Sequence, residues 1–162
     1  MQHSRQDRDE TIGHPLLKAA GLADRLGFQL RMAQAAVWSD LVAALQPFGL
    51  RPSHYSALLI VRATPGCRQQ DIGEALGIQR PNVVAMIDGM ERRGILKREV
   101  NPSDRRSYAL SLTQEGQVLL EQADAAHRAH EARFASQLDD GAAAALIPVL
   151  KQIAAAIGAP AA

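Results

Sequence analysis

The stretch QQDIGEALGIQRPNVVAMIDGMERRGILKREVNPSDRRSYALSLTQEG, residues 69–116, contains the signals that decide the fold. Residues 69–76 have the apolar spacing of a short helix, and Gly77 follows them as a residue suited to the left-handed turn that ends a helix. Pro81 fits the first turn of a next helix, where the missing N–H costs no hydrogen bond. Two short helices joined by a tight glycine turn predict a helix-turn-helix.

The second half of this stretch predicts a β-hairpin. Residues 95–100 and 107–112 resemble strands, and the second alternates apolar and polar side chains. Between them lies NPSDRR, residues 101–106, a basic and turn-rich tip that is longer than a two-residue turn and carries no apolar side chain. A hairpin that directly follows the second helix of a helix-turn-helix is typical of a wing.

Helices flank this region on both sides. A long one is predicted from about residue 22 to 47, and a short one over residues 54–63 with Ser53 as its cap. Thr113 is expected to cap another long helix that reaches about residue 138, and Asp139 begins a last, alanine-rich helix with Pro148 in its early turns. The expected fold class is mainly α with a small β-hairpin wing.

The apolar stripes of the terminal helices exceed what one small globule can cover, so a second subunit is expected to cover them. The predicted organisation is a flexible N-terminal tail over residues 1–21, a helical dimerisation region formed by residues 22–50 and 114–158, and a winged helix-turn-helix lobe over residues 51–113.

Composition limits the possible function. No segment approaches the roughly 18 to 20 apolar residues of a membrane span, and the charged first residues lack the apolar core of a secretory signal. The chain has one cysteine, Cys67, so no internal disulfide is expected, and a cytoplasmic location fits. Net charge is only +1, but basic residues outnumber acidic ones between residues 80 and 106, and the reverse holds from residue 113 onward.

Catalysis and cofactors are not expected. The sequence shows no nucleophile with a base, no phosphate-binding glycine loop and no paired carboxylates for a cleft. Cys67 is interpreted as a small buried residue rather than a redox sensor, since no second cysteine can resolve an oxidised one. His127 and His130, near Glu131, lack a further clustered metal ligand and are expected on a solvated or dimer-facing surface.

Three pieces of this sequence resemble the multiple antibiotic resistance regulator (MarR) family. They are IDGMERRGIL at residues 87–96, the wing word DRR at 104–106 followed by a strand and Leu112-Thr113, and the upstream FGLRPSHY at 48–55. The order of elements matches over roughly residues 22–157, and the words are specific over about residues 48–120. The resemblance implies a homodimer with two winged lobes on successive major grooves of a near-palindromic double-stranded DNA operator, half-sites being ~34 Å apart.

The resemblance also implies a small-molecule effector, commonly a phenolic or other aromatic carboxylate, that releases the protein from DNA. Coenzyme A (CoA) thioesters of such acids are equally open as effectors. Repression is the commoner mode of the family and is the one expected here. The sequence does not identify the effector, the operator or the target genes.

The first turn of the second helix of the helix-turn-helix is expected to meet base edges. Arginine can donate a bidentate pair to guanine, asparagine can bond adenine, and small apolar side chains can touch a thymine methyl. Arg80 contacting only phosphate is an equally open reading. The DNA-binding candidates on this helix are Gln79, Arg80, Pro81, Asn82, Val84 and Ala85.

The wing supplies three more DNA-binding candidates, Asp104, Arg105 and Arg106. In the family, the Asp-x-Arg word lets an arginine enter the minor groove while the acid holds its guanidinium, and a narrow minor groove favours arginine over lysine. A solvated charged hairpin is the alternative. Four further cations, Arg92, Arg93, Lys97 and Arg98, are interpreted as phosphate contacts or surface charge.

The ligand-binding candidates are Arg31, Trp38, His54 and Tyr55. An aromatic acid requires an apolar wall, a cation and one or two hydrogen-bonding groups, and Arg31 and Trp38 lie two turns apart on one helix face. A structural role is equally open for each of the four: core aromatics for Trp38 and Tyr55, a helix-start hydrogen bond for His54, and a surface charge for Arg31.

Two other function classes share these features. One is a protein-interaction module that dimerises through its long helices, and the other is an architectural DNA binder without an effector. Salt-sensitive DNA binding distinguishes a regulator from the first, and a ligand response distinguishes it from the second.

Overall fold

The computed structural model of the chain describes residues 14–101 and 104–158, and the side chains of these residues except at 101 and 104–107. The chain divides into two compact units, Met1–Asp40 and Leu41–Ala162. No helix in the described ranges is long and apolar enough to span a lipid bilayer.

The first unit contains a short helix, α1 (Pro15–Ala19), and most of the long helix α2 (Leu26–Leu45). The helix α1 begins where His14 Nδ1 accepts a hydrogen bond from the Leu16 amide at 3.3 Å. Part of the predicted N-terminal tail is therefore helical, at residues 15–19, and residues 1–13 of it lie outside the described residues. Gly21 adopts a left-handed φ of 63° after α1, and a further turn over residues 23–24 separates it from α2, which starts later than predicted.

The second unit contains the remaining elements. A 3-10 turn (Gln46–Phe48) follows α2, and then come α3 (Pro52–Ala63), α4 (Gln69–Leu76), α5 (Arg80–Arg92), β1 (Leu96–Asn101), β2 (Asp104–Leu112), α6 (Gln114–Ala135) and α7 (Ala142–Ile157). The two strands form one antiparallel sheet. The predicted fold class, mainly α with a small hairpin after a helix-turn-helix, is confirmed.

Local signals fix most element boundaries. Gly77 ends α4 with a φ of 66°, and Pro81 lies in the first turn of α5. Thr113 Oγ1 accepts a hydrogen bond from the Gly116 amide at 2.9 Å, as expected of a helix cap. The predicted Ser53 cap is wrong, because α3 begins at Pro52 and its N-cap residue is Arg51. The His54 side chain, three residues further on, accepts a hydrogen bond from the Arg51 amide.

The helix-turn-helix depends on a close approach between its two helices. A Cβ atom added at Gly73 of α4 would lie 3.0 Å from Val83 Cγ2 of α5, so a glycine lets the helices pack together here. The end of α2, the inner faces of α3 to α6 and the hairpin form one core. Its fully buried members are Leu45, Ala57, Leu58, Ile72, Ile87, Leu110, Leu120 and Ala123.

The hairpin is more regular than predicted. Leu96 pairs with Leu112 and Val100 with Tyr108, and a register shift follows before Asn101 pairs with Asp104. Most of the residues predicted as an irregular tip therefore belong to strands, because the shift accommodates the extra residues of β2. At the other end, α7 starts at Ala142 after Gly141 rather than at Asp139, and Pro148 lies inside it.

Candidate nucleic-acid interface

The helix α5 has one buried face and one exposed face. Val83, Met86, Ile87 and Met90 are 8% exposed or less and hold the helix against the core. The residues predicted to meet DNA lie elsewhere on the helix. Gln79, Arg80, Pro81, Asn82 and Ala85 are exposed, and Val84 is half-buried. The first turn of α5 therefore presents its predicted side chains to solvent.

The polar groups of this turn remain available for a partner. Gln79 occupies the N-cap position without a side-chain hydrogen bond to the helix. Arg80 forms no ion pair or hydrogen bond with the residues that the structure describes. An exposed cation at the positive end of a helix dipole forms a locally electropositive surface that suits a nucleic acid.

Arg98 of β1 fixes the orientation of this surface. Its guanidinium bonds Asp88 Oδ1 and Glu91 Oε2 of α5, each at 2.5 Å, and Gln69 Oε1 of α4 at 3.3 Å. The side chain is only 18% exposed. Arg98 therefore links the hairpin to both helices of the helix-turn-helix, which corrects its interpretation as a phosphate contact or a surface charge.

Arg93 also has a structural role. Its guanidinium donates to the Phe48 carbonyl at 2.7 Å and the Gly49 carbonyl at 2.6 Å, so it satisfies the turn after α2 from the end of α5. Lys97 pairs with Glu99 at 2.8 Å on the exposed side of β1. Arg92 is exposed in the last turn of α5.

The wing candidates Asp104, Arg105 and Arg106 lie in the first part of β2. Their side chains lie outside the described residues, so the predicted pairing of the aspartate with an arginine stays a prediction.

The two sensor candidates of the first unit are exposed on α2. Trp38 is 50% exposed. The guanidinium of Arg31 lies over the ring of Phe28, with 5.1 Å between Cζ and the ring centroid. Arg31 thus lies beside the half-buried Phe28 ring, and the exposed Trp38 follows two turns later on α2, so this helix carries the cation and the aromatic groups that an aromatic acid requires.

His54 in the second unit serves as the start of α3. Its Nδ1 accepts a hydrogen bond from the Arg51 amide at 3.4 Å. Burial, followed by the nearby charges of Arg51 and Arg93, lowers the pKa of His54 below its ordinary value, which keeps Nδ1 free to accept. The structure therefore supports the helix-start reading of His54.

Tyr55 also has a structural role. It is 6% exposed, and its hydroxyl donates to Asp124 Oδ1 of α6 at 2.5 Å. Arg62 donates to the other oxygen of Asp124, also at 2.5 Å. Burial alone would raise the pKa of Asp124, but the bonds from Tyr55 and Arg62 and the Arg62 charge outweigh it, so the pKa lies below its ordinary value. This cluster fastens α3 to α6.

The substitution Asp124→Asn is expected to cost about 2 kcal/mol of unfolding free energy at neutral pH, because it removes a charged acceptor of two hydrogen bonds. A carboxyl whose folded pKa is depressed stabilises the fold above its unfolded pKa, and this contribution disappears as the pH falls through the folded pKa. Urea unfolding of the wild type and of Asp124→Asn at pH 7 and at about pH 3 should therefore show a difference in unfolding free energy that is smaller in acid. A difference that is equal at both pH values would contradict this origin.

The remaining reactive side chains are structural in the described residues. Cys67 is 8% exposed, and burial, followed by the charge of Asp71, raises the pKa of its thiol, which agrees with a buried, unreactive cysteine. His127 stacks on Tyr55 with 5.0 Å between ring centroids. His130 is 2% exposed, so its expected place on a solvated or dimer-facing surface is wrong. The described ranges contain no cluster of three metal-ligating side chains.

Sequence reasoning missed the long-range partners of the arginines. Arg93 meets carbonyls more than forty positions earlier in the chain, and Arg62 meets a carboxylate more than sixty positions later. No local pattern distinguishes such cations from those that face solvent. The different roles of Arg92, Arg93, Lys97 and Arg98, which the sequence analysis treated alike, become visible only in the three-dimensional structure.

Comparisons with known proteins agree with this geometry. The MarR family model matches residues 48–107. A Thauera aromatica protein named for the regulation of the hcr operon is 29% identical over 133 residues, which cover 82% of this chain and 80% of the relative. The solved structure of the transcriptional repressor CouR bound to a 23-mer DNA duplex is 40% identical, with a TM-score of 0.78, and the match covers 82% of this chain and 94% of the repressor.

A further CouR structure, bound to p-coumaroyl-CoA, is 37% identical with a TM-score of 0.74 over the same shares of the two chains. Both matches to CouR cover 82% of this chain, which is more than the residues that the family model matches. The chain therefore belongs to the MarR family of transcriptional regulators.

Proposed function

We propose that this regulator is a homodimeric repressor that binds a near-palindromic operator and is released by a small aromatic carboxylate or its CoA thioester. Members of the family are DNA-binding transcription factors rather than enzymes. The observation that carries the proposal is the first turn of α5, where polar and cationic side chains are exposed while the opposite face of the helix is buried.

The reading of DNA is assigned to two surfaces. Gln79, Arg80 and Asn82 enter a major groove with the start of α5, and Val84 and Ala85 follow one turn later. Asp104, Arg105 and Arg106 of the wing approach the adjacent minor groove. The relative bound to a DNA duplex supports this assignment through its likeness over most of its length.

Dimerisation is assigned to residues 22–50 and 114–158. Apolar side chains remain uncovered on α7, where Leu146, Ile147 and Val149 are each 46% to 54% exposed. On α2, Val42 is 42% exposed. Exposed apolar surface of this extent in a small protein marks an interface, and a second copy is the partner that the family supplies.

The effector class is assigned from the exposed face of α2 and from the relatives. Arg31 supplies a cation for a carboxylate or for a phosphate group of CoA, and Trp38 and Phe28 supply aromatic surface. A relative bound to p-coumaroyl-CoA supports a hydroxycinnamoyl thioester as the first compound to test. His54 and Tyr55 stay predicted ligand contacts, in addition to their hydrogen bonds within the fold.

The proposal is tested by fluorescence anisotropy with labelled DNA from upstream of the gene, at two salt concentrations, with p-coumaroyl-CoA, p-coumarate and free CoA as added compounds. We expect tight binding that weakens steeply with salt and that only one of the aromatic compounds abolishes. Arg31→Ala should keep the DNA affinity and lose the response to that compound, whereas Arg25→Ala, in the turn before the same helix, should keep both. Tight binding that no compound alters would leave an architectural role, and absence of DNA binding would favour a protein-interaction module.

A further inference from the structure

A cleft lies between α4, α5 and β2, beside the first turn of α5. Its polar lining comes from all three elements: Gln69, Gln70 and Glu74 of α4, Gln79 and Arg80 at the start of α5, and Tyr108 of β2, with Arg68 preceding α4. Three of these groups, Arg68, Gln70 and Glu74, already have side-chain partners within α4 or at its start. Arg68 binds Asp71 at 2.7 Å, and Gln70 binds Glu74 at 2.9 Å. Gln69 and Tyr108, in contrast, each keep a hydrogen-bond donor that no described residue uses.

Tyr108 is held in place but not used by the fold. Leu110, two residues further on the same face of β2, is fully buried, and its backbone bonds Gly66 at 2.8 Å and Cys67 at 3.0 Å, just before α4. Tyr108 therefore lies over the cleft, where it is 56% exposed. In the described part of the chain, its hydroxyl has no hydrogen-bond partner.

Gln69 is oriented by Arg98. Its Oε1 accepts from the Arg98 guanidinium at 3.3 Å, so its amide NH2 group is left as a donor. Arg98 is in turn fixed by Asp88 and Glu91, each at 2.5 Å. The cleft thus holds an amide donor from α4 and a phenol donor from β2, and the exposed Arg80 at the start of α5 also lines it.

We propose that Gln69 and Tyr108 together bind one backbone phosphate of the DNA strand that passes between the wing and the helix-turn-helix. A phosphodiester oxygen accepts hydrogen bonds from neutral amides and phenols without requiring a cation. Because the two donors lie on separate elements, their shared phosphate contact fixes the position of the duplex relative to α5. Arg80 then faces the edge of one particular base. This inference rests on the proposed DNA binding and adds two positioning residues to it.

The test uses full-length protein and a duplex that the wild-type protein selects from a random-sequence pool. Tyr108→Phe, which removes one hydroxyl from an exposed side chain, should weaken binding about tenfold and leave the salt dependence unchanged, because no cation is lost. Gln69→Glu should weaken binding by at least as much while its thermal unfolding midpoint stays the same or rises, since a carboxylate there pairs better with Arg98 and favours a helix start. Val100→Ala, at the equally exposed position opposite Tyr108, is the matched control and should bind as the wild type does.

A scan of single methylphosphonate substitutions along the duplex identifies the contact. At one position the neutral phosphate should weaken the wild type, and at that position the losses from Tyr108→Phe and Gln69→Glu should disappear. Wild-type affinity in both variants, or losses that persist at every position of the scan, would overturn this inference while leaving the regulator intact. A wild-type protein that selects no duplex would overturn the proposed function together with it.

Discussion

Replacement of Gly116 by alanine is expected to destabilise the protein by at least about 3 kcal/mol, because even a methyl side chain at this position would clash with the backbone. A Cβ atom at this position would lie 2.0 Å from the Ile95 carbonyl oxygen. That oxygen belongs to the backbone at the start of the hairpin and accepts from the Thr113 amide at 3.1 Å. The clash therefore falls on main chain that is itself tied to the cap of α6, and it cannot be relieved by a rotamer change.

Gly89→Ala is the matched control for this prediction. Gly89 lies inside α5, and a Cβ atom there would meet nothing within 4 Å. The same chemical change should stabilise the protein by about 0.5 to 1 kcal/mol through helix propensity. Thermal unfolding followed by circular dichroism should move the midpoints of the two variants in opposite directions. A Gly116→Ala protein as stable as the wild type would show that β1 and α6 are further apart than described.

Arg80→Ala is expected to weaken binding to the selected duplex by about ten- to a hundredfold, since a bidentate contact to guanine is worth about 1–3 kcal/mol. The slope of log affinity against log salt should also fall by about one, because one cation is lost. Arg80→Lys separates the two contributions. It should keep the salt slope and still lose discrimination against a substituted base, because an ammonium group cannot form the planar bidentate pair.

Arg92→Ala provides the comparison on the same helix. Arg92 is also exposed but lies in the last turn of α5, away from the base-reading end. Its loss should change affinity only slightly and equally for all sequences. If Arg80→Lys retains full discrimination, Arg80 contacts phosphate alone, and the base reading passes to Asn82.

Local chemistry made most of the lobe predictable. Gly77 and Pro81 each impose a backbone conformation on their own position, and Thr113 satisfies an amide three residues away, so these signals hold whatever the rest of the chain does. The alternation of buried and exposed residues on α5 follows from helical spacing alone. For this reason the helix-turn-helix and the wing were predicted correctly, whereas the DNA-binding role of the α5 candidates stays a prediction.

Local patterns could not predict contacts with distant neighbours. The bond from Tyr55 to Asp124 joins residues far apart in the chain, and the predicted contact of His54 and Tyr55 with a ligand stays a prediction. His130 was expected on a surface and is buried. The tip of the hairpin was predicted as a loop because turn residues are common in it, but β1 extends to Asn101 and β2 starts at Asp104, and these two residues pair.

The order of helices and strands, the turns between them and the exposed side of α5 can be read from the amino-acid sequence, because each of these depends on contacts within a few positions. Which polar side chains already have a partner within the protein depends on how the chain packs. Arg93 and Arg98 are used by the fold, whereas Arg80 and Tyr108 are not engaged by the described residues. The physical reason is that a hydrogen bond or ion pair requires two groups within about 3 Å, and which distant groups come that close is settled only when the core has packed.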